Sequence, residues 1–113
     1  SKVSSKLDII IYLLKRMDYI VICGAMANTF LASLGNNMGK SLYEKDALHV
    51  AKEILKQGTK NNCKFILPED VIISECLENN PNPINVDVNL IPDNMMALDI
   101  GEKTIWKRVT LDE

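Results

Sequence analysis

The sequence contains few of the residues that define special classes of protein. It has three cysteines, Cys23, Cys63 and Cys76, and no two of them stand at the two-residue spacing of a metal-binding or redox motif. Their odd number and wide separation favour reduced thiols in an intracellular protein over a disulfide framework. We therefore predict no metal centre within the chain and a cytoplasmic location.

Long apolar runs and an excess of one charge are also lacking. No apolar run approaches the roughly 20 residues of a membrane-spanning helix, and the opening SKVSSK is too polar for a signal peptide. The net charge is −2, so neither nucleic acid nor a membrane surface is expected as a partner. The composition, 47% hydrophobic and 25% charged, is that of an ordinary globular domain.

What the sequence does have is an alternation of helical and extended patterns. Apolar side chains repeat at helical spacing near the start, at Leu7, Ile10, Ile11, Leu14 and Met17. Ser4 or Ser5 could cap this helix, and Ser5 with Asp8 resembles a capping box. Residues 19–23 form a short, wholly apolar run that is typical of a parallel strand covered on both faces. A second helix is predicted over residues 26–34, closed by Gly35.

The remaining segments complete an α/β pattern. A third helix is predicted from about Glu44 to Gly58, extended runs at 64–67, 71–74 and 84–90, and a fourth helix from Asp99. This order predicts a three-layer, mainly parallel Rossmann-like sheet with flanking helices. The sheet is expected to be incomplete, because the first helix has no preceding strand and the last has no return strand. The lack of an initiator methionine likewise predicts a processed or excised piece of a larger domain.

Lys2 and Lys6 form the first candidate site. Cations at the start of a helix oppose the helix dipole, so two of them suggest a bound anion, and phosphate is the natural candidate. The alternative is a pair of solvated surface lysines.

The second candidate is the turn that follows the first strand. Gly24 and Ala25 lie at the carboxyl end of this strand, where open α/β sheets bind ligands. Two small residues there would let a flat ring or a ribose approach the main chain. The alternative is that they only permit close packing of the strand against the next helix.

The third candidate is NMMALDIG, residues 94–101, in which Met96, Ala97 and Leu98 could line a pocket for an aromatic base. Ordinary core packing is the alternative, because Met and Leu are usually core residues. His49 is expected to be a solvated residue on the polar side of the third helix, with no nucleophile at a useful spacing.

Five segments, in this order and at this spacing, resemble the nucleotide-binding half of phosphoglycerate kinase. They are SKVSSKL (1–7), ICGAMANTFL (22–31), GKSL (39–42), FILPEDVIIS (65–74) and IPDNMMALDIG (91–101). The family patterns read approximately GGAKVxDK, GGGMAxTFL, GxSL, LPxDxVxA and IPxxWMGLDIG. The resemblance covers essentially all 113 residues, and five ordered segments are far more specific than any one alone.

The resemblance implies a hinged, two-domain glycolytic kinase. Its N-terminal domain binds 3-phosphoglycerate, its C-terminal domain binds MgADP or MgATP, and a phosphoryl group moves between 1,3-bisphosphoglycerate and ADP. Residues 1–113 would then be part of the nucleotide-binding domain. The substrate domain and the end of the C-terminal domain would be absent, and the magnesium ligand with them. We expect such a piece to be inactive alone and its parent to be a monomer.

Site residues carry over by matching position. Lys2 and Lys6 match the two family lysines that contact the nucleotide phosphates and the transferring group, so Lys2 is also the expected catalytic residue. Gly24 and Ala25 match the glycine run that walls the adenosine pocket. The positions that match the apolar side of this pocket are Leu42, Met96, Ala97 and Leu98.

The chain departs from the family pattern at three glycine positions, which hold Cys23, Ala25 and Ala97. A methyl group at Ala25 or Ala97 would crowd the nucleoside or narrow its pocket. The alternative to a kinase fragment is a stand-alone α/β module that binds a nucleotide or a protein without catalysis. A dinucleotide-dependent oxidoreductase is disfavoured, because the GxGxxG fingerprint and its acidic ribose ligand are not in place.

Overall fold

The computed structural model describes residues 3–75 and 84–101, apart from the side chains at positions 99 and 100. Two short 3-10 turns, Lys45–Ala47 and Val88–Leu90, accompany the regular elements. The helices and strands over these ranges are α1 (Val3–Leu14), β1 (Tyr19–Val21), α2 (Gly24–Ser33), α3 (Leu48–Lys60), β2 (Lys64–Ile66), β3 (Asp70–Ser74), β4 (Ile84–Asp87) and β5 (Met96–Ile100).

The strands form two small sheets. β1 and β2 pair in parallel, with Ile20 opposite Phe65, and the N–H of Ile22 donates to the carbonyl of Ile66 at 3.0 Å. β3 lies between β4 and β5 and is antiparallel to both. The predicted α/β fold, with a parallel sheet beside helices, is confirmed. The antiparallel sheet is an addition that the sequence pattern did not predict.

The first core cluster joins the three helices to the parallel pair. Phe30 of α2 is fully buried, and its ring lies 6.0 Å from that of Phe65 on β2. α1 contributes one stripe, with Val3, Ile10 and Leu14 buried. Met17 was expected on this stripe, but α1 ends before it and its side chain is 48% exposed.

The third helix differs from its predicted bounds at both ends. It begins at Leu48, after a 3-10 turn, and continues past Gly58 to Lys60. A Cβ on Gly58 would lie 2.5 Å from the ring of Phe65. This glycine therefore lets the helix approach β2, instead of ending the helix.

The second core cluster joins α2 to the antiparallel sheet, through Leu31, Met38, Val71, Ile73, Val88 and Ile91. Two elements here differ from their prediction: the extended run expected at 84–90 is a strand only over Ile84–Asp87, followed by the 3-10 turn Val88–Leu90, and β5 replaces a helix. Asp99 and Ile100 extend a strand paired with β3, where a fourth helix was expected to begin. Pairing with a central strand outweighs the helical pattern of these residues. The rest of that expected helix, residues 102–113, lies outside the described ranges.

One face of β1 is open. Tyr19 is 54% exposed and Val21 is 39% exposed, so this strand is not covered on both faces by the described elements, as its apolar sequence had suggested. None of the helices in the described ranges has the length and apolar character needed to cross a membrane.

Candidate functional site

Two adjoining clefts meet at Ala25. The first has a volume of about 490 Å³ and lies between α1 and the end of β1, where Lys6, Gly24, Ala25 and Met26 are among its lining residues. The second, of about 560 Å³, runs from Ala25 to Leu42 and the segment 43–46. Both volumes are typical of small-molecule sites. Lys6 and Gly24 thus line the first cleft, Leu42 lines the second, and Ala25 lies on both.

Gly24 has a backbone reason to be glycine. Its φ is +69°, a left-handed conformation that costs other residues about 1–2 kcal/mol, and it begins α2 after the two residues that follow β1. A Cβ at this position would meet no described atom within 4 Å. Close strand-to-helix packing therefore does not explain this glycine, because such packing would place protein atoms there. The space beside Gly24 is open to the first cleft.

The start of α2 gives the first cleft a positive end. Cys23 precedes the helix in extended conformation and makes no side-chain capping bond, and the first turn has no acidic residue. The helix dipole is therefore not offset by residues of its own first turn. Lys6 lies on the same cleft, so an ammonium group and a helix start together favour an anionic ligand.

The start of α1 is stabilised by a carboxylate from elsewhere in the chain. Glu44 accepts one hydrogen bond from the N–H of Ser4, at 3.3 Å, and a second from the Ser4 hydroxyl, at 2.5 Å. The predicted cap at Ser4 or Ser5 is wrong, because both serines lie within the helix. An anion does lie at this helix start, and it is a protein side chain.

The Glu44 carboxylate weakens the inference of a bound phosphate that was drawn from Lys2 and Lys6. Glu44 offsets the positive end of α1, so Lys2 and Lys6 do not by themselves require a phosphate at this helix start. Lys2 lies outside the described residues. Of the two lysines, only Lys6 is described, and its position on the first cleft is what favours an anionic ligand there.

Buried polar side chains of α2 hold the second cleft in place. Asn28, 6% exposed, donates to the carbonyl of Leu42 at 3.1 Å. Thr29, 2% exposed, accepts from the N–H of Glu44 at 3.0 Å. The sequence-based prediction did not include these residues, although two adjacent polar residues in a helix that is otherwise apolar except for Ser33 were a visible signal. They leave the Leu42 side chain 61% exposed at the cleft.

The segment Met96–Leu98 is linked to Leu42 but does not line either cleft. The hydroxyl of Ser41 accepts a hydrogen bond from the N–H of Ala97 at 2.8 Å, and the N–H of Lys40 donates to the carbonyl of Met95 at 2.7 Å. The side chain of Ala97 packs against the second core cluster. These contacts place the third candidate segment next to the loop that carries Leu42.

A β-bulge lies within this segment. Ala97 pairs with Ile73 and Asp99 with Ile72, so Leu98 is an extra residue without a counterpart on β3. Bulges break the alternation of side chains along a strand and are frequent beside functional sites. Leu98 therefore does not follow the facing that its neighbours would impose in a regular strand.

The described residues offer neither a set of metal ligands nor an activated nucleophile. Across residues 3–75 and 84–101, no three His, Cys, Asp or Glu side chains are grouped so that they could hold a metal. His49 is exposed on α3. Burial raises the pKa of the Cys63 thiol, and the charge of Asp18 raises it further, so this cysteine is disfavoured as a thiolate.

The chain matches known proteins over nearly its whole length. Residues 1–110 match the family model described as phosphoglycerate kinase. The phosphoglycerate kinase of Agrobacterium fabrum is 46% identical over 106 residues, and the alignment covers 93% of this chain and 26% of the relative. That of Orientia tsutsugamushi strain Ikeda is 43% identical over 112 residues, covering 98% of this chain and 28% of the relative.

A solved structure agrees with these sequence matches. The structure of phosphoglycerate kinase from Coxiella burnetii superposes with a TM-score of 0.92 and 31% sequence identity. The match covers 97% of this chain and 28% of that one. The chain therefore spans about a quarter of the length of the relatives that it matches.

Proposed function

This chain belongs to the phosphoglycerate kinase family, and from this membership we propose that it carries part of the ADP/ATP site of a phosphotransferase. The reaction is reversible phosphoryl transfer between 1,3-bisphosphoglycerate and ADP, which gives 3-phosphoglycerate and ATP. The observation that carries the proposal is the first cleft, where Lys6 lies beside the Gly24–Ala25 turn.

The first cleft is the proposed phosphate side. The ammonium group of Lys6 and the backbone N–H groups at the start of α2 would hold the phosphates of the nucleotide. Phosphoryl transfer depends mainly on positioning and on neutralisation of charge, so a binding lysine is also useful to the chemistry. Lys2 is proposed as the catalytic lysine that contacts the transferring group.

The second cleft is the proposed nucleoside side. Gly24 and Ala25 would form the wall against which the nucleoside lies, because their backbone is exposed and carries little side chain. Leu42, with most of its surface exposed, would contact the base. Met96, Ala97 and Leu98 are proposed for the apolar side of the site through their attachment to the loop before Leu42, which the hydrogen bond to Ser41 provides; their segment lines neither cleft directly.

The remaining parts of the reaction belong to regions of the family that this chain does not span. Magnesium neutralises phosphate charge when it is bound with the nucleotide, but the described residues contain no group of acids suited to it. We assign the magnesium ligand and the 3-phosphoglycerate site to the rest of the relatives' length. The whole enzyme is proposed to be a cytoplasmic, monomeric enzyme of glycolysis.

Nucleotide titration tests the binding proposal. We expect MgADP to bind weakly, in the range that NMR titration can measure, because only part of the pocket is present. Lys6→Gln should weaken MgADP by about fivefold or more, since it removes a charge-assisted hydrogen bond. Lys15→Gln, an exposed lysine just beyond the end of α1, is the matched control and should bind as the wild type does. Equal affinity for the two variants would contradict the assignment.

A coupled phosphoryl-transfer assay tests the claim of incompleteness. We expect no turnover by the 113-residue chain, because positioning of both substrates needs groups beyond it. Turnover above the assay background would show that these residues suffice. MgADP binding without turnover fits the proposal, and it also fits a stand-alone nucleotide-binding module. Joining the chain to the remaining length of a relative would separate the two, because only a kinase fragment should regain activity.

A further inference from the structure

We infer that Glu44 is a positioning residue for the nucleotide, because its carboxylate holds the start of α1, and so Lys6, against the segment that carries Leu42. The inference rests on the proposed function and deepens it. Glu44 is not a catalytic residue in this scheme. It fixes the spacing between the phosphate side and the nucleoside side of the site.

Glu44 contacts the first turn of α1 through its carboxylate. Both carboxylate oxygens of Glu44 accept hydrogen bonds from Ser4, one from the N–H and one from the hydroxyl. Because one donor is a backbone group, the bond fixes the helix itself and not only a side chain. Lys6 lies in the turn that begins there, so its backbone position depends on this attachment.

Glu44 contacts α2 through its backbone. The N–H of Glu44 donates to the buried hydroxyl of Thr29 at 3.0 Å, and Asn28 holds the carbonyl of Leu42, two residues earlier, at 3.1 Å. The backbone of Glu44 is therefore attached to α2 while its carboxylate reaches α1. Glu44 is the point at which these two helices and the segment 42–46 meet.

The arrangement of the two clefts relates the position of Glu44 to a ligand. The cleft with Lys6 and the cleft with Leu42 share Ala25, and Glu44 lines the second. A ligand that reaches both Lys6 and Leu42 must pass Ala25, and a nucleoside diphosphate has the required anionic end and flat end. The separation of these two ends is set by the position of α1 relative to segment 42–46. Glu44 joins those two parts of the chain.

Charge supports the same role. The carboxylate offsets the positive end of α1 and the cationic Lys6 in its first turn. The helix start is therefore stable without a bound anion, and the Lys6 ammonium group can serve the cleft. The site is built before the ligand arrives, which lowers the cost of binding.

The test compares two ligands across four variants. Glu44→Ala removes the carboxylate, Glu44→Gln keeps an oxygen that can accept the Ser4 N–H, and Ser4→Ala removes only the hydroxyl donor. Glu53→Ala is the matched control, because Glu53 is an exposed acid on α3 whose carboxylate accepts a hydrogen bond from Gln57 at 3.0 Å. MgADP and adenosine are titrated into each variant by NMR, after circular dichroism and thermal unfolding have confirmed folding.

We expect a loss that depends on the phosphates. Glu44→Ala should weaken MgADP by about fivefold and adenosine by less than about twofold, since only MgADP spans both clefts. Glu44→Gln should recover part of the loss, and Glu53→Ala should show none. In the free protein, hydrogen exchange at the Ser4 amide should be faster in Glu44→Ala than in the wild type. A purely structural role for Glu44 would weaken both ligands equally.

The outcomes separate the two claims. If the wild type binds MgADP and Glu44→Ala binds both ligands unchanged or equally weakened, the inference is overturned and the proposed function stands. If the wild type binds neither ligand, the proposed function fails, and the role of Glu44 fails with it. If Glu44→Ala does not fold, Glu44→Gln and Ser4→Ala decide, and equal losses for the two ligands would again refute the inference.

Discussion

The hydroxyl of Ser41, a residue 7% exposed, accepts a hydrogen bond from the backbone N–H of Ala97 at 2.8 Å, although 56 positions separate the two residues. This bond attaches the loop before Leu42 to β5. Gly39 lies in the same loop, so close to the carbonyl oxygens of Pro92 and Met95 that a Cβ at this position would collide with them. The two apolar segments assigned to the nucleoside side therefore form one unit.

Ser41→Ala should destabilise the protein through the N–H that it leaves behind. The amide of Ala97 would lose its partner, and an unsatisfied donor in a largely buried position costs about 1–3 kcal/mol. Urea unfolding measures the difference. Thr59→Ala removes an exposed hydroxyl on α3 that donates to the carbonyl of Leu55, and should change stability by less than about 0.5 kcal/mol. Equal effects of the two substitutions would mean that the Ser41 bond contributes little.

Gly24→Ala and Gly35→Ala form a matched pair. Both glycines have positive φ, +69° and +94°, and in neither case would a Cβ meet a described atom within 4 Å. Each substitution should therefore cost about 1–2 kcal/mol of unfolding free energy from backbone strain alone. Only Gly24 lines the first cleft, so only its substitution should weaken MgADP in an NMR titration. Equal binding by both variants would remove Gly24 from the proposed site.

Gly58→Ala tests the contact between α3 and β2. Alanine is ordinarily the better helix former, by about 1 kcal/mol, but here its Cβ would lie 2.5 Å from the Phe65 ring and 2.9 Å from the carbonyl oxygen of Cys63. We expect the overpacking to prevail, with a net loss of about 1–3 kcal/mol in thermal or urea unfolding. Phe65→Leu removes the ring that the new Cβ would meet, so the double variant Gly58→Ala with Phe65→Leu should lose less stability than the sum of the two single changes. An unchanged or raised stability for Gly58→Ala would show that the helix shifts freely.

Cysteine labelling reports burial and charge together. Cys63 is 4% exposed, and burial, followed by the charge of Asp18, raises the pKa of its thiol. A raised pKa leaves less thiolate at a given pH, and thiolate is the reactive form. At pH 8, iodoacetamide should therefore modify the half-buried Cys23 well before Cys63, with peptides resolved by mass spectrometry. In urea the two rates should converge, and similar rates in the native protein would contradict this account.

Local patterns predicted much of the fold. The helical repeat of α1, the apolar runs of β1 and β2, and the helix that follows Gly24 all lie within a few residues of their predicted places. These elements are specified by neighbours in sequence, through periodicity and turn residues. Family resemblance assigned Lys6, Gly24 and Leu42 to one site, which stays a prediction; the structure places them along two clefts that share Ala25.

Long-range contacts account for what the sequence did not show. The cap of α1 comes from Glu44, 40 positions from Ser4, and no local pattern identifies it. Residues 99 and 100 join a strand because β3 lies beside them. The exposure of Tyr19 and Val21 depends on which elements cover β1, and a run of apolar residues does not reveal this.

The bulge in β5 separates the pairing of the strand from the identity of one side chain. Since Ala97 and Asp99 are already opposite Ile73 and Ile72, the ladder does not depend on what stands at Leu98. A substitution at Leu98 should therefore change the surface beside the strand, while the register of β5 against β3 stays the same.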